Sequence, residues 1–240
     1  MQSKKCATSF DMDTYRYDIH IHSAVSPCAD NDMTPVTIVG SAMLSGLDFV
    51  AIADHNSIAH VPVALKAGKA YGIKVVPAIE LQTREDIHIV CLFEKYDDLV
   101  GFVDRIPFSQ RPNQEEFFGE QLIFDEDDEV IGKEDRMLLD SADISCDDVP
   151  ALIREFNGVA IPAHIDREGN SMLSILGTIV DGFPVVEFST RASQEMIEEW
   201  SKTHGIVIDS DAHTLASIST RGQIQLEEYT VKCFLDHLRG

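Results

Sequence analysis

Short apolar runs recur along the chain and alternate with longer segments of helical periodicity. Runs of four to seven apolar residues between Gly, Pro or polar residues are typical of buried strands. Apolar positions three and four apart predict amphipathic helices, and Thr34-Pro35 supplies a helix cap with a first-turn proline. The predicted strands are Tyr17–Ile21, Phe49–Ile52, Lys74–Ile79, Ile87–Phe93, Val159–Pro162, Pro184–Phe188 and Ile206–Asp209, and the predicted helices are Thr34–Ser45, Val61–Tyr71, Val149–Phe156, Ser193–Thr203 and Thr230–Leu238.

This alternation of strands and helices predicts an α/β fold with a largely parallel sheet. Seven strands in 240 residues favour a distorted seven-stranded (β/α) TIM-like barrel over an open sheet. Periodicity alone leaves closure of the barrel open. His88 lies near the start of its strand, so that strand is expected to run antiparallel to the others. We expect one domain over residues 1–240.

The stretch 107–149 interrupts the alternation. It contains Phe117-Phe118 and an acidic run, Asp125–Glu129, and the segments on either side of that run predict a β-hairpin inserted into the domain. An acidic insertion is either a solvated face or a lid over a site, because long insertions in compact domains are often functional.

Acidic residues outnumber basic residues by 41 to 19, which gives a formal net charge of −22. Such a surface repels long phosphate polymers, so we expect no binding of long duplex nucleic acid. Bound divalent cations would invert the field locally, so a small phosphorylated substrate remains compatible with this charge.

Several features favour a cytoplasmic protein. Residues 1–13 have no apolar core of signal-peptide length, and no stretch approaches the ~20 apolar residues of a membrane span, so no membrane partner is expected. Oligomeric state is left open. The cysteines form an odd and scattered set that gives no disulfide framework: Cys6, Cys28, Cys91, Cys146 and Cys233.

Histidine and carboxylate side chains lie at or near the ends of six apolar runs. His20 and His22 alternate on one strand and therefore point the same way, and Asp211 and His213 repeat that spacing. Alone, the His20/His22 pair could be a coincidence, the segment after the second strand a polar turn, and the two later single histidines satisfied core residues. Glu80 is harder to explain in this way, because a buried carboxylate is costly unless it is paired or bound to a cation. The carboxyl ends of barrel strands share one rim, so together the segments predict a metal site. The remaining members are Asp54-His55, Glu80, His88 and His164.

Mixed imidazole and carboxylate ligands suit Zn, Mn or Fe, and their number exceeds the needs of one ion. We therefore expect two to three divalent transition-metal ions that share bridging carboxylates. Such clusters form hydroxide from water near neutral pH and hold the oxygens of a phosphoryl group during displacement.

Five sequence blocks resemble the PHP family, named for polymerase and histidinol phosphatase. The resemblance covers most of the chain outside 107–149 and implies a distorted seven-stranded barrel with a trinuclear metal centre. The blocks are DIHIHS (Asp18–Ser23), ADHNS (Ala53–Ser57), PAIELQT (Pro77–Thr83), PAHID (Pro162–Asp166) and DSDAH (Asp209–His213).

The resemblance also implies a ligand set for each ion. The third ion would be held by His55, His213 and a residue of the loop after His22. Cys28 stands where some relatives have histidine, and Asp30 is the alternative. The first ion would be held by His20, His22, Glu80 and Asp211, and the second by Glu80, His88 and His164, with Glu80 bridging.

Other residues complete the expected site. Asp54, with His55 and Glu80 in the catalytic set, orients a ligand imidazole or transfers a proton. Arg167 and Arg191 are either phosphate-binding residues or ordinary surface arginines. Three further histidines are expected not to bind metal: His60, His204 and His237.

The function that these features favour is hydrolysis of small phosphomonoesters through a metal-bound hydroxide. The resemblance implies nucleotide substrates, such as 3′,5′-bisphosphates, or short oligonucleotides trimmed from the 5′ end. Two alternatives remain: a phosphatase like histidinol phosphatase, and a non-catalytic metal-binding scaffold.

Overall fold

Strands and helices alternate through most of residues 12–240, which are the residues that the computed structural model describes. Cys6 and nearly all of the segment considered for a signal peptide lie outside them. The strands are β1 Asp13–Ile21, β2 Phe49–Ile52, β3 Lys74–Val75, β4 Ala78–Gln82, β5 His88–Leu92, β6 Leu122–Phe124, β7 Val130–Lys133, β8 Val159–Pro162, β9 Val185–Ser189, β10 Gly205–Asp209 and β11 Gly222–Leu226. The helices are α1 Pro35–Leu44, α2 Val61–Tyr71, α3 Tyr96–Val103, α4 Glu115–Phe118, α5 Val149–Glu155, α6 Met172–Leu176, α7 Gln194–Trp200 and α8 Val231–Arg239.

The strands form four sheets, in the orders β11-β1-β2-β3, β4-β5-β8, β9-β10 and β6-β7. Strands β1, β2 and β3 are parallel, as are β9 and β10. Strand β5 runs antiparallel to both β4 and β8. The antiparallel direction predicted from the position of His88 is therefore confirmed.

Backbone hydrogen bonds outside the strand ladders link three of these sheets near their carboxyl ends. The His22 N–H donates to the Ala212 carbonyl over 2.8 Å, and the Ile165 N–H donates to the Glu187 carbonyl over 2.9 Å. The predicted α/β architecture is confirmed. Among residues 12–240 the strand ladders are not continuous around a barrel. The closed barrel that we expected is therefore not confirmed, and the sequence pattern alone does not decide closure.

Two departures from the predicted strands have local causes. The predicted strand Lys74–Ile79 is divided in two, because Pro77 has no N–H to donate and the segment changes partner from β2 to β5 there. Strand β11 was not predicted, and it pairs with the first half of β1. A Cβ on Gly222 would lie 2.7 Å from the Tyr17 carbonyl oxygen, so this pairing requires glycine.

The main core is formed by side chains from strands of several sheets and from α8. It contains Ile19, Val90 and Ile161 from the strands, and Phe234 and Leu235 from α8. Burial of each such side chain contributes about 1.5–3 kcal/mol. This packing holds the strands in place. Most ligand-type side chains lie near the ends of these strands or on adjoining turns, and Glu80 lies within β4.

The inserted segment packs on the loop that follows β1. Strands β6 and β7 form an antiparallel hairpin, and the Leu122 N–H donates to the Ala24 carbonyl over 3.0 Å. Leu122 and Phe124 bury their side chains against Ala24. No helix within residues 12–240 has the length and apolar character needed to cross a membrane.

Candidate metal centre

The Glu80 carboxylate lies at the centre of the ligand-type side chains. It is fully buried in β4, inside the strand rather than after it. One oxygen is 2.8 Å from His55 Nδ1, and the other is 3.0 Å from His88 Nδ1 and 3.1 Å from His20 Nε2. A buried carboxylate is costly unless it is paired or bound to a cation, so this position indicates a site for positive charge.

Three further side chains surround this centre. His22 Nε2 is 2.9 Å from an oxygen of Asp211 and 3.4 Å from Glu80, and His164 Nε2 is 3.6 Å from Glu80. Two of them come from strained backbone, since φ is +31° at His164 and +50° at Asp211. Non-glycine residues in this region cost of order 1–3 kcal/mol, and such strain is frequent at functional sites.

The donor atoms of this cluster fit divalent metal ions. Within residues 12–240, His20 Nε2, His22 Nε2, His55 Nδ1 and both Glu80 oxygens are buried without a hydrogen-bond partner. Buried polar atoms normally have partners, so their convergence indicates a bound cation. The groups with mutually close donor atoms are His20–His22–Glu80, His55–Glu80–His88, and His22–Cys28–His55–His213.

Charges within the cluster compensate one another. Burial raises the pKa of Glu80, but the imidazoles of His88, His20 and His55 outweigh it and hold that pKa well below its ordinary value. Burial lowers the pKa of His55, yet Glu80 and Cys28 bring it to about 10. Burial, with some help from His55, lowers the pKa of His22 to about 4. Protons and metal ions therefore compete for the same donor atoms.

Glu187 contacts two of the histidines predicted to bind metal, and sequence reasoning missed it. Its carboxylate lies 2.9 Å from His20 Nδ1 and accepts the His164 backbone N–H over 3.1 Å. A proton on His20 Nδ1 leaves Nε2 free to face the site. The available signal was a carboxylate in the middle of an apolar strand, where burial requires a partner.

Cys28 lies with the histidines expected to hold the third ion. Its sulfur belongs to the close group with His22, His55 and His213. Burial raises the pKa of the Cys28 thiol, but the imidazoles of His213 and His55 outweigh that effect and lower it. Asp30 is exposed and contributes its backbone N–H to the His213 carbonyl over 2.9 Å, and its carboxylate is absent from the close groups found in residues 12–240.

A cavity of about 280 Å³ opens onto this cluster. Arg167 lines it and its guanidinium bonds Asp211. Arg191 is exposed and does not line this cavity, and Asp54 is buried beneath it. A larger cleft of about 770 Å³ lies between α5 and the start of β8, and none of the ligand-type side chains lines it. The cavity is lined by Cys28, His55, His88, His164, Arg167, Gly169, Asn170, Asp211 and His213.

The three histidines not expected to bind metal lie outside the close groups of the described chain. His60 is buried and bonds Ser23 and the backbone of Phe124. His204 bonds Thr203, and His237 is exposed on α8.

The PHP domain model matches residues 18–145, more than half of the chain. The chain belongs to the PHP domain family. It is 36% identical over 86 residues to a 5′-3′ exoribonuclease from Haemophilus influenzae, which is 34% of this chain and 30% of that protein. The match therefore spans less than a third of the relative's length.

Solved structures share the fold of this PHP chain. The lesion-specific endonuclease Q of Pyrococcus furiosus matches with a TM-score of 0.71 and 17% identity, covering 95% of this chain and 56% of that chain. A protein from Bifidobacterium adolescentis named as a metal-dependent phosphoesterase matches with a TM-score of 0.58 and 18% identity, over 85% of this chain and 89% of that chain. The family neighbours include metal-dependent hydrolases, and the His and Glu groups of this chain can bind metal.

The expectation from the net charge, that the protein binds no long duplex nucleic acid, is wrong. A second structure of endonuclease Q, with a TM-score of 0.69 and 15% identity over 95% of this chain and 57% of that chain, holds a 27-mer duplex substrate with an abasic lesion at the active site. This fold therefore accommodates a duplex. A net charge of −22 is an average over the whole surface, whereas bound cations set the field at the site.

Proposed function

We propose that this PHP chain is a metal-dependent phosphoesterase that acts on nucleotides. Its substrate would be a small phosphomonoester, such as a 3′,5′-bisphosphate, or the 5′ end of a short oligonucleotide. The observation that carries the proposal is the buried Glu80 carboxylate. Within residues 12–240, both of its oxygens and the facing nitrogens of His20, His22 and His55 have no hydrogen-bond partner. The exoribonuclease name of a relative supports a nucleotide substrate.

The proposed ligand sets hold two to three ions of Zn, Mn or Fe. When bound, such ions supply an ionised water near neutral pH and positive charge next to the phosphoryl oxygens. Cys28 is assigned to the third ion in preference to Asp30, because it lies with both histidines of that set. The sets are His20, His22, Glu80 and Asp211; Glu80, His88 and His164; and His55, His213 and Cys28.

The protein's own side chains bind and orient the substrate in this proposal. Arg167 presents a guanidinium at the cavity, where it can bond phosphate oxygens. Glu187 fixes the tautomer of His20. Asp54 accepts hydrogen bonds from Ser23 and Ser26, which favours an orienting role over proton transfer.

We also propose that the described sheets form a distorted seven-stranded barrel within one domain, and that 107–149 is an insertion in it. The backbone hydrogen bonds between sheets support this arrangement, as does the core that side chains from several sheets share.

Hydrolysis by the metal-loaded protein tests the function, measured as phosphate released from phosphomonoesters and as nucleotides released from the oligonucleotide. Adenosine 3′,5′-bisphosphate, a 5′-phosphorylated oligonucleotide, histidinol phosphate and a duplex with an abasic site would be compared with Mn²⁺ or Zn²⁺ added. Turnover should be fastest on one of the first two substrates. Faster hydrolysis of histidinol phosphate or strand cleavage of the duplex would replace the nucleotide assignment, and no hydrolysis of any substrate would reject the enzyme.

Glu80→Gln tests the bridging role of this carboxylate. The amide keeps the size of the side chain but removes its charge, so the number of bound ions should fall. Activity should drop at least about 100-fold, or about 2.7 kcal/mol of barrier. Glu195→Gln, an exposed position on α7, is the matched control and should retain activity. Activity of Glu80→Gln within about tenfold of the unaltered protein would reject the bridge.

A further inference from the structure

A buried hydrogen-bond network connects the inserted segment to the candidate metal centre. The backbone N–H of Phe124 in β6 donates to His60 Nε2 over 2.8 Å. His60 Nδ1 lies 2.6 Å from Ser23 Oγ, and the Ser23 hydroxyl donates to an oxygen of Asp54 over 2.5 Å. His60 and Ser23 are fully buried. Residues 107–149 are therefore connected to the site by buried hydrogen bonds as well as by apolar packing.

The direction of each hydrogen bond in this network is fixed by its ends. A backbone N–H can only donate, so His60 Nε2 accepts and the ring proton lies on Nδ1. The Nδ1 proton then occupies one lone pair of Ser23 Oγ, and the Ser23 hydroxyl proton points at Asp54. Burial lowers the pKa of His60, although Asp54 partly opposes it, and this keeps the ring neutral as the arrangement requires.

The far end of the network reaches two proposed ligands. The second Asp54 oxygen accepts the Ser26 hydroxyl over 2.7 Å. Ser26 Oγ in turn accepts the His55 backbone N–H over 3.2 Å and lies 3.2 Å from His22 Nδ1. A proton on His22 Nδ1 leaves Nε2 facing Asp211. The network thus sets the tautomer of His22 and the position of His55.

The loop that follows β1 carries Ser23, Ser26 and Cys28, and it has a second contact with the insertion. The Ser26 N–H bonds the Ser23 carbonyl and the Ala29 N–H bonds the Ser26 carbonyl, so the turn around Cys28 is built on Ser23 and Ser26. A Cβ on Gly119 would lie 2.9 Å from the Pro27 oxygen, so the insertion meets this loop beside Cys28. Shifts of the insertion would therefore displace the thiol.

We propose that His60 is a positioning residue through which the 107–149 insertion orients His55 and the Cys28 loop for the third metal ion. This inference rests on the metal sites of the proposed function. Removal of His60 should affect the third ion most. Among the described residues, His22 is the one ligand of the first two sets whose side chain contacts the network. The first ion keeps His20, Glu80 and Asp211, and Glu187 still orients His20. Residues that orient metal ligands typically change metal affinity about 10- to 100-fold when they are replaced.

Titration of the metal-free protein with Co²⁺ tests this without any assay of catalysis. A cobalt–thiolate charge-transfer absorption reports the Cys28 position, and metal analysis after desalting reports the total. His60→Leu should weaken binding at the thiolate position about 10- to 100-fold and leave the other ions in place. His60→Gln, whose amide can accept from Phe124 and donate to Ser23, should restore most of that affinity. His237→Gln on the exposed face of α8 is the control.

Two results would overturn the proposal: unchanged thiolate binding in His60→Leu, or equal loss of all ions. If His60→Leu does not fold, Ser23→Ala breaks the same network with less change in volume and carries the same expectations. An unaltered protein with no thiolate absorption would reject Cys28 as a ligand and this proposal with it. A protein that shows the expected metal binding but hydrolyses no phosphoester would reject only the proposed function.

Discussion

At the scale of single residues, the candidate site is a balance of buried charges. Burial raises the pKa of Asp211, but His20 and His22 outweigh it and lower that pKa. Burial lowers the pKa of His20, and the carboxylates of Glu187, Glu80 and Asp211 outweigh it and raise the pKa well above its ordinary value. Positive charge is thus required among these carboxylates, and either protons or metal ions can provide it.

This balance predicts that the metal-free protein loses stability as pH rises from about 6.5 towards 10. The folded state holds protons on His20 and on His55, whose pKa is about 10, while the unfolded chain releases them near 6.5. The lowered pKa of Cys28 opposes this up to the ordinary thiol value of about 8.5, so the loss should be steepest above that pH.

Urea denaturation at a series of pH values, with chelator or with stoichiometric Zn²⁺, measures this effect. Metal replaces the protons, so the loaded protein should keep its stability over the same range. A metal-free midpoint that stays constant or rises between pH 8.5 and 10 would contradict the charge balance.

The two arginines considered for phosphate binding should behave differently. Arg167 lines the cavity and Arg191 does not. Arg167→Gln should raise KM for the phosphoester about tenfold, or about 1.4 kcal/mol, whereas Arg191→Gln should leave it nearly unchanged. Steady-state kinetics at saturating metal gives both values. Equal effects of the two replacements would show that the cavity is not where the phosphate binds.

At the scale of elements, apolar runs predicted the central strands, because a strand that is buried on both faces needs apolar residues at consecutive positions. The run Phe49–Ile52 is a strand with all four residues buried. β11 escaped detection, since GQIQL alternates buried residues with exposed glutamines and is too short to stand out. Its place in the sheet comes from tertiary pairing with β1, and a local pattern does not contain that information.

The ligand-type residues were predictable because they follow apolar runs that end at one rim. The side chains that orient them were not. Glu187 lies inside a strand. Ser23 and Ser26 become partners of Asp54, and His60 becomes a partner of Ser23, only when distant segments meet. Sequence spacing identifies donors on one strand, but contacts across thirty or more residues depend on the fold.

The inserted segment should depend on one buried glutamine. Gln121 donates to the carbonyls of Glu134 and Arg136 and accepts the Leu138 N–H. Gln121→Ala leaves these backbone groups unpaired and should cost about 1–3 kcal/mol. Hydrogen exchange should show faster opening of residues 121–138 with β1 and β2 unchanged. Gln110→Ala, at an exposed position, should have little effect, and unchanged protection of the segment in Gln121→Ala would contradict this role.

At the scale of the whole molecule, the net charge affects how a charged substrate approaches the protein more than how it binds in the cavity. The net charge of −22 repels a polyanion over distances comparable to the Debye length. In the proposed function the substrate phosphate meets a different field, because Arg167 and the residues proposed to bind metal ions line the cavity. An acidic surface can therefore coexist with cleavage of a nucleic acid end, and its effect should appear in the salt dependence.

Added salt should help long substrates and leave short ones nearly unaffected. As ionic strength rises from about 0.01 M to about 0.15 M, the Debye length falls from about 30 Å to about 8 Å, so repulsion along an oligonucleotide is screened. KM for a 5′-phosphorylated oligonucleotide should fall over this range, while KM for adenosine 3′,5′-bisphosphate changes less. Proteins that bind nucleic acid by counterion release show the opposite sign. A KM for the oligonucleotide that rises with salt would reveal a local basic path to the site and would contradict control by the net charge.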